Sequence, residues 1–433
     1  MNKIIANENS YIEIDETNKE ILGDLVNIGY QLKNELGLKA VPIQVAAVNK
    51  IYIGNIVGNV ALNSTNLIIN PKYVDSDITT EESLLLSKRL IERSIKCATD
   101  NIDSTIYFYK NNMIDEQNEF FDSLAKYYLD KTIQALRKSK ICLYEDRTEK
   151  VRTIKGRILV QRQLSAPMTD EKTWCRYKRL TDNNIYNQLL YWGCKYLIGL
   201  ASNIDLKQKL LTLSREFPQT TQLLNKHDVS TLKAPRQFSE YEESLNMAKR
   251  LYLDSLNKKE RLGADNRVCG YAINMELSFE NIVEYYSRIA ANRIGFIHKA
   301  QATKQLAVCQ TETGYDFDVR PDDLISKGHA HLVMDAKYKT LSINEKGKRK
   351  PLREDFYQMI SSCVAYRCHE AVLVYPESSG FKRMKWCTNN MINDYKCMVH
   401  SGAIDLYDMD ENVIAQMTSI IKDTLFFEEV SGE

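Results

Sequence analysis

The sequence lacks the features that identify membrane, secreted and disulfide-rich proteins. Its apolar runs fall short of the roughly 18 to 20 residues that a membrane-spanning helix needs, and its N-terminus is acidic where a secretory signal would be basic. Ten cysteines are present, but no two form a CxxC pair, so no compact zinc or redox motif is indicated. We therefore expect a cytoplasmic protein with reduced cysteines and no membrane association.

Motifs for nucleotide binding and for several hydrolases are also absent. The sequence contains no GxxxxGK(S/T) phosphate loop and no GxGxxG after a strand, and neither a GxSxG elbow nor an HExxH pair occurs. The chain is therefore not expected to hydrolyse nucleotides by itself. Its 58 Lys and Arg nearly balance its 57 Asp and Glu, so contact with nucleic acid would require a local basic patch.

The length and the order of patterned segments predict a mixed α/β, or α+β, protein of several domains. At 433 residues the chain exceeds the roughly 100 to 200 residues typical of one domain. Alternating apolar and polar positions over 42–75, punctuated by glycine and proline, predict a small sheet. We predict an N-terminal β-containing domain over 1–150, a mainly helical middle region over 151–260 and a C-terminal domain over 261–433.

The middle region carries one clear helix pattern and one candidate linker. Thr181 and Asp182 are predicted to open a helix whose apolar positions recur with helical spacing. Residues 227–237, with Pro235 inside, are predicted as a linker, followed by a charged helix over 239–256.

The C-terminal region changes to an alternating order of helices and strands, which predicts a mixed α/β or α+β core. The predicted elements are a helix over 277–290, strands near 305–310, 315–320 and 330–337, a helix over 354–367 and a strand over 371–376.

Within that region, a predicted hairpin brings two carboxylates together. A two-residue turn at Gly328 and His329 would place Asp322 opposite Asp335, with cross-strand Cβ atoms roughly 4.5 to 5.5 Å apart. Because strand side chains alternate, Lys337 shares the face of Asp335. Hard cations such as Mg²⁺ prefer carboxylate and carbonyl oxygens, so this face is a candidate metal site for phosphodiester hydrolysis. A surface hairpin with a salt bridge is the alternative interpretation.

Two helices flank the hairpin in sequence, and a basic segment follows it. Glu280 lies at the edge of the apolar face of the first helix, and Gln358 lies on a polar face of the second. Residues 337–353 hold seven Lys or Arg against one acid, which favours contact with a DNA backbone, although a solvated loop would have the same composition. The candidate DNA-binding residues are Lys339, Lys346, Lys348, Arg349, Lys350, Arg353, Lys382 and Arg383.

The segments MELSFENIV, VRPDD, VMDAKYK, DFYQM and VLVYP, in this order and spacing, resemble the C-terminal nuclease domain of the McrC family. McrC is the endonuclease subunit of McrBC-type modification-dependent restriction systems, of the PD-(D/E)xK superfamily. The resemblance extends upstream, to KGRILVQRQLSAP, WCRYKRLTDNNIYNQLL and VGNVALNSTNLIINPKY. It implies a restriction-endonuclease-like fold for the C-terminal domain.

The resemblance also implies roles for individual residues. Asp322 and Asp335 would bind Mg²⁺, or Mn²⁺ as its substitute, with the Ala336 carbonyl as a third ligand. Lys337 would position the attacking water and stabilise charge on the phosphate. The supporting catalytic residues would be Glu280, which assists the metal through water, and Gln358.

The family further implies an AAA+ GTPase partner of the McrB type. That partner would bind the N-terminal part of this chain and supply translocation and specificity for double-stranded, modified DNA. The leading hypothesis is therefore a motor-dependent DNA endonuclease subunit, which requires that Asp335→Ala abolish cutting. A self-sufficient nuclease, which would cut without nucleotide, and a non-catalytic activator or scaffold of the NTPase are the alternatives.

Overall fold

The computed structural model describes residues 2–14, 20–47, 49–61, 65–72, 80–97, 105–110, 119–165, 171–220, 224–261, 268–310, 316–339, 341–343, 349–378, 381–389 and 396–425. The chain divides into two compact units. The first unit comprises Met1–Asn111 and Cys269–Glu433, and the second comprises Asn112–Val268.

The N-terminal part of the first unit consists of two small sheets and two helices. Its elements are β1 (Asn2–Asn7), β2 (Ser10–Glu13), α1 (Glu20–Glu35), β3 (Ile43–Ala47), β4 (Lys50–Ile53), β5 (Ile56–Ala61), β6 (Thr65–Asn70), α2 (Thr80–Cys97) and β7 (Ile106–Lys110). The described residues of 42–75 form strands, as predicted, but these belong to two sheets rather than one, with β3 and β4 in a three-stranded sheet and β5 and β6 in a five-stranded one. Leu25 and Leu32 of α1 pack with Ile51 and Leu67 in one buried cluster, so the helix covers the sheets.

The second unit combines helices with an exposed sheet. Its elements are α3 (Glu119–Lys138), β8 (Leu143–Val151), β9 (Arg157–Ile158), α4 (Val160–Leu164), β10 (Thr173–Thr181), α5 (Ile185–Leu200), α6 (Ile204–Ser214), α7 (Lys226–Thr231), a 3-10 helix (Arg236–Tyr241) and α8 (Glu242–Arg261). The sheet has the order β8, β10, β9, and six of nine side chains of β8 and four of nine of β10 are exposed.

Three details of the second unit differ from the sequence prediction. Residues 151–260, predicted as mainly helical, also contain strands β9 and β10, and β10 lies between β8 and β9 and pairs with both. Helix α5 begins at Ile185 rather than at 181–182, because the Asn184 side chain accepts a hydrogen bond from the Asn187 backbone N–H at 3.1 Å and so caps the helix. The predicted linker over 227–237 is largely α7 and the 3-10 helix, since Asn225 caps α7 in the same way.

The C-terminal part of the first unit contains the largest sheet. Its elements are β11 (Val268–Asn274), α9 (Met275–Arg293), β12 (Ile297–Ala300), β13 (Lys304–Ala307), β14 (Phe317–Val319), β15 (Asp323–Lys327), β16 (Ala330–Ala336), β17 (Ser342–Ile343), β18 (Arg349–Lys350), α10 (Arg353–Tyr366), β19 (Glu370–Pro376), β20 (Lys385–Cys387), β21 (Met398–Ile404) and α11 (Asp410–Leu425). The six-stranded sheet has the order β12, β15, β16, β19, β21, β20.

The hairpin of β15 and β16 has the predicted register. Ser326 pairs with His331 and Asp323 with Met334, and Gly328 adopts the left-handed φ of 59° that the turn requires. On its other edge, β16 runs parallel to β19, with Asp335 beside Leu373. The predicted hairpin is therefore confirmed.

Helices cover both faces of this sheet. On one face, α10 contributes Met359 and Cys363 to a buried cluster with Val333 and Leu373. On the other face, the Ser287 hydroxyl of α9 contacts the Met334 sulfur at 3.1 Å, and α9 also packs against α11. The result is a three-layer α/β/α arrangement, within a mixed α+β protein.

The first unit is discontinuous because β11 enters the N-terminal sheet. This sheet has the order β1, β6, β5, β11, β7, and Ala272 of β11 pairs with Gly58 of β5. Helix α2 adds a second connection, since Arg93 donates to the Leu406 carbonyl at 2.6 Å. Residues 1–111 and 269–433 thus share one compact unit, an outline that differs from the three predicted domains, whose boundaries stay predictions.

Among the helices that the structure describes, none combines the length and apolar character needed to cross a membrane.

Gly58 tests the insertion of β11, because a Cβ atom there would lie 2.2 Å from the Tyr271 carbonyl oxygen. We expect Gly58→Ala to lower the free energy of unfolding by about 1 to 3 kcal/mol through overpacking. Gly23 on α1 is the matched control, since its Cβ would meet nothing within 4 Å, and Gly23→Ala should stabilise by up to about 1 kcal/mol. Urea denaturation of both variants measures this, and equal stabilities would contradict the described pairing.

Candidate active site

Two aspartates lie together where the hairpin strands end. Asp335 is the second-last residue of β16 and is 1% exposed, and Asp322 directly precedes β15. The Asp322 carboxylate accepts a hydrogen bond from the Ala336 backbone N–H at 2.8 Å, which fixes it beside the end of β16. The sequence-predicted pair is therefore assembled by the register of a single hairpin.

Lys337 and Gln358 join the Asp335 carboxylate in a closed set of polar contacts. The Lys337 ammonium forms an ion pair with Asp335 and donates to the Gln358 side-chain oxygen at 3.3 Å. The Gln358 amide in turn donates to Asp335 at 3.3 Å. Gln358 lies on α10, so the helix that covers this face of the sheet also holds the lysine and the aspartate in place.

The electrostatics of this cluster are those of crowded, partly buried carboxyl groups. Burial, followed by the negative charges of Asp335 and Glu280, raises the pKa of Asp322 to about 8. Burial and the Asp335 charge likewise raise the pKa of Glu280. Burial opposes the charge of Lys337, but the surrounding carboxylates outweigh it and raise the pKa of that ammonium group. The charges of Glu280 and the aspartates thus influence one another, and the role of Glu280 stays a prediction.

The carboxylate pair fits a hard divalent cation that retains much of its water. Such an ion takes oxygen ligands, and Mg²⁺ is commonly bound through one or two carboxylates. Among the described residues no three His, Cys, Asp or Glu side chains converge as a ligand set, so the protein would supply the two aspartates and backbone oxygen. Burial and then the neighbouring negative charges raise the Asp322 pKa, and a bound cation would favour the ionised carboxylate.

Two groups near the pair were not anticipated from the sequence. The Gln301 side chain donates to the Asp322 carboxylate at 3.1 Å, and its backbone N–H donates to the Asp322 carbonyl at 2.7 Å. Behind the pair, the buried Asp323 carboxylate contacts the His298 ring nitrogen at 2.6 Å. The second acid of VRPDD was a signal for Asp323, whereas Gln301 lies in a connection without any motif.

The candidate DNA-binding cations fall into three groups. Lys339 contacts the Asp355 carboxylate at 2.8 Å, and Arg383 is ion-paired with Asp423. Exposed positions are Lys350, Arg353 and Lys382. Lys346, Lys348 and the side chain of Arg349 lie outside the described residues. Their roles stay predictions.

These observations define an α+β protein with an acidic pair and a lysine at the end of a central strand. The family described as McrBC 5-methylcytosine restriction system component matches residues 51–376. Since that match spans well over half of the 433 residues, the chain belongs to this family. A search of curated proteins finds no match.

Solved structures were compared as well. The chain is similar to one in the refined half-complex from a tetradecameric assembly of Thermococcus gammatolerans McrB AAA+ hexamers with bound McrC. The TM-score is 0.54 and the identity 16%, with 96% of this chain and 100% of that chain covered, which indicates a shared fold. A second match, to the T. gammatolerans McrBC complex, has 17% identity and covers 68% of this chain and 88% of that one, but its TM-score of 0.44 supports no conclusion about fold.

The raised pKa of Asp322 predicts how stability depends on pH without metal. The folded protein holds this proton up to pH about 8, whereas the unfolded chain loses it near pH 4, so stability falls as pH rises through this window. We expect Asp322→Asn to remove part of the fall, up to about 1.4 kcal/mol per pH unit. Urea denaturation with a chelator, between pH about 5 and about 8, measures it. Parallel stability curves for the two proteins would contradict the assigned burial.

Proposed function

We propose that this chain is the Mg²⁺-dependent DNA endonuclease subunit of an McrBC-like restriction system, acting with an AAA+ NTPase. The observation that carries the proposal is the partly buried Asp322 and Asp335 pair with Lys337 beside it at the end of one hairpin. Membership of the McrBC restriction family supports it. The arrangement fits the PD-(D/E)xK pattern, with Asp322 in VRPDD as the first acid and DAK at 335–337 as the rest.

In this proposal each residue has a distinct task. A bound Mg²⁺ supplies charge neutralisation and a water of lowered pKa. Asp322 and Asp335 hold the ion, for which Asp322 must first lose the proton that its surroundings favour. The Lys337 ammonium orients the attacking water and offsets negative charge on the phosphate, and Gln358 keeps that ammonium against Asp335. Glu280 acts on the metal through water.

The proposed partner is an AAA+ NTPase of the McrB type. The similar T. gammatolerans chain comes from an assembly of McrB AAA+ hexamers with bound McrC, and it matches this chain over nearly its full length. The sequence has no phosphate loop of its own, which is consistent with nucleotide hydrolysis by a separate protein. In this view, the partner supplies specificity for modified DNA and drives translocation, while this chain cuts.

Replacing Asp335 tests the chemistry. We expect Asp335→Asn to lower the rate of plasmid cleavage in Mg²⁺ by at least about 100-fold, because a metal contribution of several kcal/mol is lost. Asp318→Asn on β14 is the matched control, since Asp318 is exposed and only four residues from Asp322, and its rate should equal that of the wild type. Circular dichroism checks that both variants fold.

The same assay, with and without the neighbouring AAA+ protein and its nucleotide, distinguishes the alternatives. Cutting that needs both the partner and Asp335 supports the proposal. Full cutting by the purified chain without nucleotide would identify a self-sufficient nuclease. If the complex with the Asp335→Asn variant still cuts DNA, this chain would instead be an activator or scaffold.

Replacing the exposed residues Lys350 and Arg353 tests whether bound DNA contacts this surface. We expect the Lys350→Ala, Arg353→Ala double variant to weaken binding of duplex DNA and to reduce the salt dependence of log K by roughly 1 to 2, the value for one or two phosphate contacts. Fluorescence anisotropy over a range of salt concentrations measures it. A matched double variant at Lys207 and Lys209, on α6 of the other unit, should keep the wild-type slope, and equal slopes for both doubles would refute this contact.

A further inference from the structure

Glu8, Lys72 and Tyr338 meet in a buried contact between the N-terminal sheet and the strand that carries the candidate site. The Tyr338 hydroxyl donates a hydrogen bond to the Glu8 carboxylate. The Lys72 ammonium donates to the Tyr338 carbonyl at 3.0 Å and lies 4.3 Å from the centre of its ring. Glu8 is 1% exposed and Tyr338 is 6% exposed, so water does not compete for these bonds.

The two N-terminal members of this contact are fixed by their own sheet. Strands β1 and β6 run parallel and in register up to Asn7 and Asn70. Beyond that pair, the Glu8 backbone N–H donates to the Asn70 carbonyl at 2.9 Å, and the Lys72 backbone N–H donates to the Glu8 carboxylate at 2.9 Å. Glu8 and Lys72 therefore present one rigid surface to Tyr338.

Tyr338 lies between the two lysines of the candidate site. On one side, the Lys337 backbone N–H donates to the Val374 carbonyl at 2.8 Å, and its ammonium reaches Asp335. On the other side, Lys339 is held by Asp355 of α10. Strand β16 ends at Ala336, and the hydroxyl and the backbone carbonyl of Tyr338 both connect the segment after it to the N-terminal sheet.

Residues near Glu8 are also connected to α9, the helix that carries Glu280. Asn9 donates to the side-chain oxygen of Asn55, and the Asn55 amide donates to the Glu276 carboxylate at 2.6 Å. Glu276 precedes Glu280 by one helical turn on α9 and so lies on the same side of that helix. Asn55 thus links Asn9, the neighbour of Glu8, to the helix that carries Glu280.

We infer that Glu8, Lys72 and Tyr338 are positioning residues through which the N-terminal sheet sets the placement of Lys337 against Asp335. The inference rests on the proposed nuclease function for its catalytic meaning. The restraint that these three residues place on 335–339 can be measured without a DNA cleavage assay.

Tyr338→Phe tests this inference, because it removes the hydroxyl that bonds Glu8 but keeps the ring under Lys72. We expect hydrogen exchange of the amides of Lys337 and Lys339 to accelerate about tenfold, since a buried hydrogen bond is lost at that point. Cleavage at saturating DNA and Mg²⁺ should slow by a similar factor, with the DNA dissociation constant unchanged. Glu8→Ala should have at least this effect, since it also removes the acceptor of the Lys72 backbone N–H, and the double variant should add nothing to Glu8→Ala.

Tyr286→Phe is the matched control. It also removes one hydroxyl that donates to a carboxylate, here Asp410 at 2.5 Å in the same unit. We expect it to lower the melting temperature as Tyr338→Phe does, without changing exchange of residues 335–339 or the cleavage rate. Unchanged exchange in Tyr338→Phe, or equal changes in both variants, would overturn the inference. Failure of the wild type to cut DNA would overturn the proposed function, and exchange would still decide the restraint.

Discussion

The placement of two acidic side chains, Asp322 and Asp335, together in partly buried surroundings is the constraint around which this part of the molecule is organised. Asp322 and Asp335 are brought together by a hairpin register that cannot slip by one residue without turning a whole strand face away from the core. Their neighbours, the Ala336 N–H, the Lys337 ammonium and the Gln358 amide, all offset negative charge. A purely structural hairpin has no need of such a pair, which is why the cluster indicates a functional site.

The first unit is built from two separate segments of the sequence, and both segments hold the candidate site in place. Strand β16 ends at Ala336, and the residues that follow this strand would move freely unless other elements held them. Helix α10 holds them from one side, through Gln358 and Asp355. The N-terminal sheet, completed by β11, holds them from the other. The position of the candidate site thus depends on segments from both ends of the sequence.

Local sequence patterns predict those elements whose formation depends on residues close together in the sequence. The hairpin was predictable because Gly328 fixes the turn and period-two alternation fixes the facing residues. The start of α5 was misplaced since Asn184, rather than an upstream Thr or Asp, provides the cap. The pairing of β11 with β5, the exposed strand β12 and the contact of Gln301 with Asp322 depend on distant segments meeting, and no local pattern encodes that.

The position of β11 between β5 and β7 in the N-terminal sheet also has a consequence for synthesis on the ribosome. Strand β5 pairs with β6 on one edge. Its other edge pairs with β11, which is synthesised only after the whole second unit. At roughly 5 to 20 residues per second, that edge stays open for on the order of ten seconds or more. An open edge can pair with other chains, so the nascent protein is exposed to wrong association until β11 has been made.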